Sequence, residues 1–267
     1  MTIASARSTV IGLSRTPKHI YTWRDGTVDS GPLPSVTGIL NVVDKSGALV
    51  GWAKRETAAC AVRNLDMLAK MRESGGDAAA VNWLKTIPDY QRDTAADIGT
   101  RVHALAESVA KGEPVTPTEE ERPFLAAFQR FLDEWRPTYL ATEEMVASLT
   151  HGYAGTLDAI VEMAGDVWML DTKTGAGVYP ETALQLAAYA GADFIGRPAD
   201  DKRYSIPPIT AFGVLHLRPE NGGVYEVVPY AVDQDTFAAF LDARRLYAWR
   251  ETQAPKVMGQ PLGRAIK

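Results

Sequence analysis

The most constraining feature of the chain is a change of hydrophobic period near residue 138. Before it, apolar residues recur at threes and fours. After it come three short apolar-rich runs, residues 139–149, 156–163 and 167–172, separated by glycine-containing turns. The first pattern belongs to helices and the second to strands. Helical spacing then returns over residues 181–195. Two further strands follow over 209–217 and 224–232, joined by Pro219-Glu220-Asn221-Gly222-Gly223. A strand meander, a helix and more strands read as one mixed layer. The expected fold class is α/β, a central mixed β-sheet flanked by helices, with a helical N-terminal region. No linker is long or polar enough to divide the 267 residues. A single domain is expected, with residues 1–96 mostly helical, 97–232 as the core, and 233–267 as a last helix and tail.

Upstream, residues 21–23 and 36–40 read as short extended pieces in a stretch rich in Gly, Pro, Ser and Thr. The spacing predicts a helix over 49–71, stopped by Gly75-Gly76, and another over 78–85. Pro88 is expected to break the pattern before Asp97, which suits an N-cap for a helix through Val109. Thr118 followed by Glu121 is a capping-box signature for a helix over 118–135.

The composition, 46% hydrophobic and 23% charged, excludes a disordered or fibrous chain. No apolar run approaches the roughly 20 residues that span a bilayer, and the N-terminus lacks a secretory core. No membrane association is expected. Cys60 is the single cysteine. It excludes an intramolecular disulfide and any all-cysteine zinc or iron–sulfur site. A reducing cytoplasm is the simplest location. A net charge of −5 argues against a protein that simply coats nucleic acid. It does not exclude an enzyme that cuts it, since metal-binding carboxylates enter the same sum.

Chemistry concentrates in the meander. A hairpin loop centred between Ala164 and Gly165 places Asp158 opposite Asp171. Opposed residues share a face, about 5 Å apart. Lys173 lies on that face about 7 Å further on. Two such carboxylates repel unless a cation sits between them, and a hard cation, Mg²⁺ or Mn²⁺, suits them. A lysine beside it can orient an attacking water or stabilise developing charge. On helices, His103 shares a face with Glu107, and Gln185 with Tyr189.

In order along the chain stand Gly99-Thr100-Arg101-Val102-His103, Gly155-Thr156-Leu157-Asp158, Asp171-Thr172-Lys173 and Gln185 through Tyr189. Together they resemble the RecB-like branch of the PD-(D/E)xK nuclease superfamily. The match covers the helix-borne histidine, the first metal-binding aspartate, the (D/E)xK element and the Q-x-x-x-Y motif. Residues 33–37 and 45–52 resemble phage-encoded members. The resemblance implies a restriction-endonuclease-like core and a metal-dependent deoxyribonuclease. It favours an exonuclease of recombination, repair or phage replication, over an endonuclease or a non-catalytic DNA-binding relative. It implies metal ligands Asp158, Asp171, His103 and the Thr172 carbonyl, and Lys173 as the catalytic lysine. Gln185 and Tyr189 would hold the site or contact the DNA backbone, with Glu107 and Glu144 as weaker candidates. Because adjacent Glu143 points to the opposite face from Glu144, strand parity decides which reaches the site. With one cysteine, the chain is unlike the cluster-bearing relatives. The implied partners are DNA, single- or double-stranded, and a recombination protein, in the host cytoplasm for a phage-encoded member.

A phosphodiester substrate needs cationic surface. Residues 45–72 hold six basic and two acidic side chains, and residues 241–267 repeat that ratio. Lys54, Arg55 and Arg101 are the candidate DNA contacts, with Trp52 and Trp83 as candidate stacking rings.

Overall fold

A computed structural model describes residues 11–263. The chain opens with β1 (Gly12–Arg15) and β2 (Tyr21–Arg24), a helical turn α1 (Val36–Ile39), and the helices α2 (Ser46–Arg63), α3 (Leu65–Ala110) and α4 (Arg122–Trp135). Strands β3 (Thr138–Thr142), β4 (Met145–Ser148), β5 (Tyr153–Thr156), β6 (Ala159–Met163) and β7 (Asp166–Lys173) follow. After α5 (Thr182–Ala190) come β8 (Phe194–Arg197), β9 (Asp200–Tyr204), β10 (Ala211–Arg218) and β11 (Val224–Pro229). The helices α6 (Gln234–Thr252) and α7 (Ala254–Val257) end the described chain.

The fold is α/β, with a mixed five-stranded sheet ordered β11-β10-β7-β6-β3. Strand β10 runs parallel to β7 and the other neighbours are antiparallel. The crossover between β7 and β10 carries α5, as a parallel pair requires. Ile160 and Met169 face one apolar cluster with Leu186 of α5 and Phe240 of α6. Their neighbours Val161 and Leu170 face a second cluster with Phe128 and Phe131 of α4. Burial on both faces explains why these strands read as continuous apolar runs rather than alternating ones.

The hairpin of β6 and β7 has the register anticipated from its turn. Ala159 pairs with Leu170 and Met163 with Asp166. Ala164 and Gly165 both have positive φ, the conformation that matches a two-residue turn to the strand twist. The two runs before it are each bent in the middle. Strands β4 and β5 leave the mixed sheet and join β8 and β9 in a four-stranded antiparallel sheet. Hydrogen bonds continue through the bend, from Glu143 N to Asp158 O (2.9 Å) and from Leu157 N to Glu144 O (3.0 Å). Glu143 takes the turn at φ 52°.

Several expected elements differ. Residues 36–40 are helical, not extended. Ser35 Oγ caps the turn by accepting from Gly38 N, and Val36 and Ile39, three apart, are both fully buried. Gly76 (φ 71°, ψ −178°) kinks α3 but does not end it, and the helix runs on through Pro88 and Asp97. Asp97 is therefore no cap. Pro88 removes one donor, and nearly all of α3 before its last two turns lies at the surface, where water can serve the carbonyl left over. Helix α5 stops at Ala190, and its C-cap Gly191 passes so near Phe237 that a Cβ would lie 2.5 Å from the ring. Residues 194–197 then extend as β8. The edge strand β9, Asp-Asp-Lys-Arg-Tyr, has no apolar alternation to announce it. Helix α4 begins at Arg122, with Glu121 Oε2 accepting from Thr118 N (2.8 Å).

Candidate metal centre

The site forms at the bend, where α3 passes the open end of the β6–β7 hairpin. Asp158 directly precedes β6, and the hairpin register carried one step further sets it opposite Asp171. The Oδ2 atom of Asp158 accepts from Thr172 N (2.7 Å). Four residues after Gly99, His103 reaches down from α3, and its Nε2 lies 2.9 Å from Thr172 O. A carbonyl only accepts, so Nε2 carries the proton. The other nitrogen, Nδ1, stands 3.6 Å from Asp158 Oδ2 and 3.7 Å from Glu143 Oε1.

His103, Glu143 and Asp158 thus offer one ligand atom each, all within 4.8 Å of one another and half-buried. One imidazole and two carboxylates form a donor set for a divalent cation. Without one, the protein supplies a proton. Burial alone pulls the His103 pKa down, but the neighbouring Glu143 and the charges of Asp158 and Asp171 push it up to about 9. Burial raises the Asp158 pKa, in part offset by His103.

Asp171 is engaged differently. Its Oδ1 accepts from Gln185 Nε2 (2.7 Å). Its Oδ2 faces Lys173 Nζ at 2.7 Å, an ion pair without hydrogen-bond alignment. Burial and the neighbouring Asp158 charge push the Asp171 pKa up to about 6. Lys173 is lowered by burial, yet Asp171 and Asp158 outweigh this and raise its pKa overall. Gln185 also donates to Tyr189 Oη (3.3 Å). The buried Tyr189 ring abuts Gly155, where a Cβ would lie 2.5 Å from Cε1. That contact gives Gly155 a steric reason.

The structure brings Asp158, His103, Asp171, Thr172, Lys173 and Gln185 to one place. It turns the Thr172 carbonyl to His103 and Asp171 to Lys173 and Gln185. It leaves Glu144 outside, held by the Nε–Nη2 edge of the Arg197 guanidinium, the shortest contact being 2.6 Å. Glu143 is the residue at the cluster, because its left-handed backbone breaks the strand parity. Only a positive φ, which no sequence period reveals, could have identified it. Glu107 lines a cavity of about 30 Å³ beside the cluster and pairs with Lys111 (2.5 Å). That volume admits a water or an ion, not a nucleotide, so any larger substrate approaches from outside. Arg101 is bound to Glu121 (2.6 Å) and Glu120 (3.5 Å). Lys54 and Arg55 are exposed on α2. Trp52 and Trp83 are half-buried.

No family model and no curated protein matches the chain. Among the described residues, no helix is long and apolar enough to cross a membrane.

Proposed function

We propose that this chain is a metal-dependent deoxyribonuclease of the RecB-like PD-(D/E)xK type, hydrolysing DNA phosphodiester bonds with Mg²⁺ or Mn²⁺. The observation that carries this reading is the convergence of His103, Glu143 and Asp158 on one point beside the Asp171–Lys173 pair. His103 Nδ1, Glu143 Oε1 and Asp158 Oδ2 would hold the cation, with Asp171 next to it. The bound cation would supply Lewis acidity and lower the pKa of a coordinated water.

The protein's own residues do the rest. Asp171 and Asp158 keep Lys173 an ammonium despite its burial. In that form Lys173 offsets negative charge on the phosphate rather than removing a proton. Gln185 holds Asp171 by one oxygen and leaves the other to Lys173. Tyr189, buried behind Gln185, fixes its amide. The strand order α4-β3-β6-β7-α5-β10 is compatible with a restriction-endonuclease-like core. Exonuclease action in recombination, repair or phage replication follows from the family resemblance.

The test is digestion of linear and covalently closed circular DNA with Mg²⁺ or Mn²⁺, each DNA end labelled in turn. Loss of linear DNA alone supports an exonuclease. Cleavage of both forms supports an endonuclease. Absence of any metal-dependent cleavage rejects the reading.

A further inference from the structure

The segment between Lys173 and α5 is fixed at three points, yet it leaves one aromatic ring outside. Buried His216 on β10 places Nε2 2.8 Å from Gly175 O. Gly99 of α3 comes so near that a Cβ would lie 3.1 Å from Thr174 Oγ1. The Tyr179 carbonyl accepts from Tyr230 Oη (3.0 Å) and from Thr182 N (3.0 Å). The Tyr179 backbone is therefore held, while its side chain is 58% exposed. No other aromatic ring among the described residues packs against it. The segment leads directly from Lys173 into α5, whose Gln185 donates to Asp171 (2.7 Å), so Tyr179 stands between two residues of the site. The N-cap of α2 is adjacent, with Lys45 Nζ 3.9 Å from Glu181.

An exposed ring on a fixed backbone costs little to order on binding, since only its own rotamer is lost. Every nucleobase offers a π face, and stacking on such a ring is tolerant of sequence. We propose that Tyr179 is the stacking platform for one base of a single-stranded nucleic-acid segment whose phosphate meets Lys173. This rests on the nuclease reading and adds the form of substrate it grips: an unpaired base at the mouth of the site, which a fully paired duplex cannot present.

The experiment uses the full chain with Ca²⁺ in place of Mg²⁺. Single-stranded 12-mers carry 2-aminopurine, or an abasic residue, at each of the four terminal positions of either end. We expect 2-aminopurine fluorescence to be quenched on binding at one position by the wild type, Tyr179→Phe and Tyr179→Trp. In Tyr179→Ala the quenching should vanish and affinity fall by about 5- to 100-fold, the range for one base–aromatic stack. The wild type should bind the strand abasic at that position as weakly as Tyr179→Ala binds the intact one. No quenching at any position, or equal quenching and affinity in Tyr179→Ala, overturns the platform. Metal-dependent cleavage with Tyr179-independent binding leaves the nuclease and removes the platform. Tyr179-dependent quenching without cleavage of any DNA removes the nuclease and leaves a base-binding ring.

Discussion

The bent meander and the helices that precede it carry charge in opposite ways. In the meander, His103, Asp158, Asp171 and Lys173 are crowded together, and all four pKa values are displaced upward: the two carboxyls by burial, the imidazole and the amine by the acidic groups around them, which outweigh burial. Across residues 46–97, by contrast, only Cys60 and Ala80 are buried, and Lys54, Arg55, Arg63 and Lys70 are exposed. Apolar side chains are exposed there too, Val62 at 72% and Leu65 at 65%. A displaced pKa ties the protonation of a group to the stability of the fold, and sites of chemistry are where such displacements gather. The exposed cations of the helical region stand in water, where salt screens what they do at a distance.

Substitution is the strongest way to break this contrast. Lys173→Ala or Asp158→Ala should each lower DNA cleavage by about 100-fold or more, as expected for loss of a metal ligand or a charge-stabilising group. Circular dichroism should show both variants folded. Lys54→Ala with Arg55→Ala should instead weaken DNA binding by a few fold, more so at low salt. Equal losses from the two sets would mean that the exposed cations do more than steer. In stability the same contrast is a packing one. Phe128→Ala, which empties a buried position between α4 and the sheet, should cost about 3–5 kcal/mol. Val62→Ala on the exposed helix should stay within about 0.5 kcal/mol. Chemical denaturation of both variants measures the difference.

How much of this was legible in the sequence follows from the same contrast. The β6–β7 register was legible because Ala164-Gly165 leaves one economical turn, and Asp158 and Asp171 follow from it. The helical region was legible in kind but not in extent. Pro88 and Asp97 are local signals for a break, and they fail because an exposed helix can hand its unpaired groups to water. Glu143 was not legible. Strand parity divides it from Glu144, and the bend that overrides parity is made by contacts between β3–β4 and β5–β6 some 15 residues apart in the chain. The sheet of β4, β5, β8 and β9 was hidden too: β4 is the far half of a run that looked continuous, β8 begins inside a stretch with helical spacing, and β9 has no apolar alternation.

A smaller effect separates function from stability within the site itself. The folded-state pKa of Asp171, about 6, lies above its ordinary value of 3.8. The protonated form is therefore the better tolerated. Its contribution to stability is fully present below about pH 4 and lost as pH rises through about 6. Asp171→Asn should accordingly raise the stability at pH 7.5 by about 1–2 kcal/mol while abolishing cleavage. Thermal melts at pH 4 should show no gain. A melting temperature unchanged or lowered at pH 7.5 would mean that the Lys173 pair outweighs burial.

The smallest expected effect tests whether the helical region belongs to the cooperative core at all. Proline within a helix costs about 3 kcal/mol relative to alanine, through the missing donor and the clash with the preceding turn. Pro88 sits inside α3, well away from the segment around Val102 that docks on α4 and the sheet. If residues 65–97 open independently of the core, Pro88→Ala strengthens only the local helix. Amide exchange should then slow at residues 85–95, while the melting temperature of the whole chain moves by less than about 2 °C, because global unfolding does not report a local opening. A rise of several degrees would instead tie the exposed helix to the same cooperative unit as His103. The region would then be part of what holds the histidine over the carboxylates, and no longer an independent charged surface beside them.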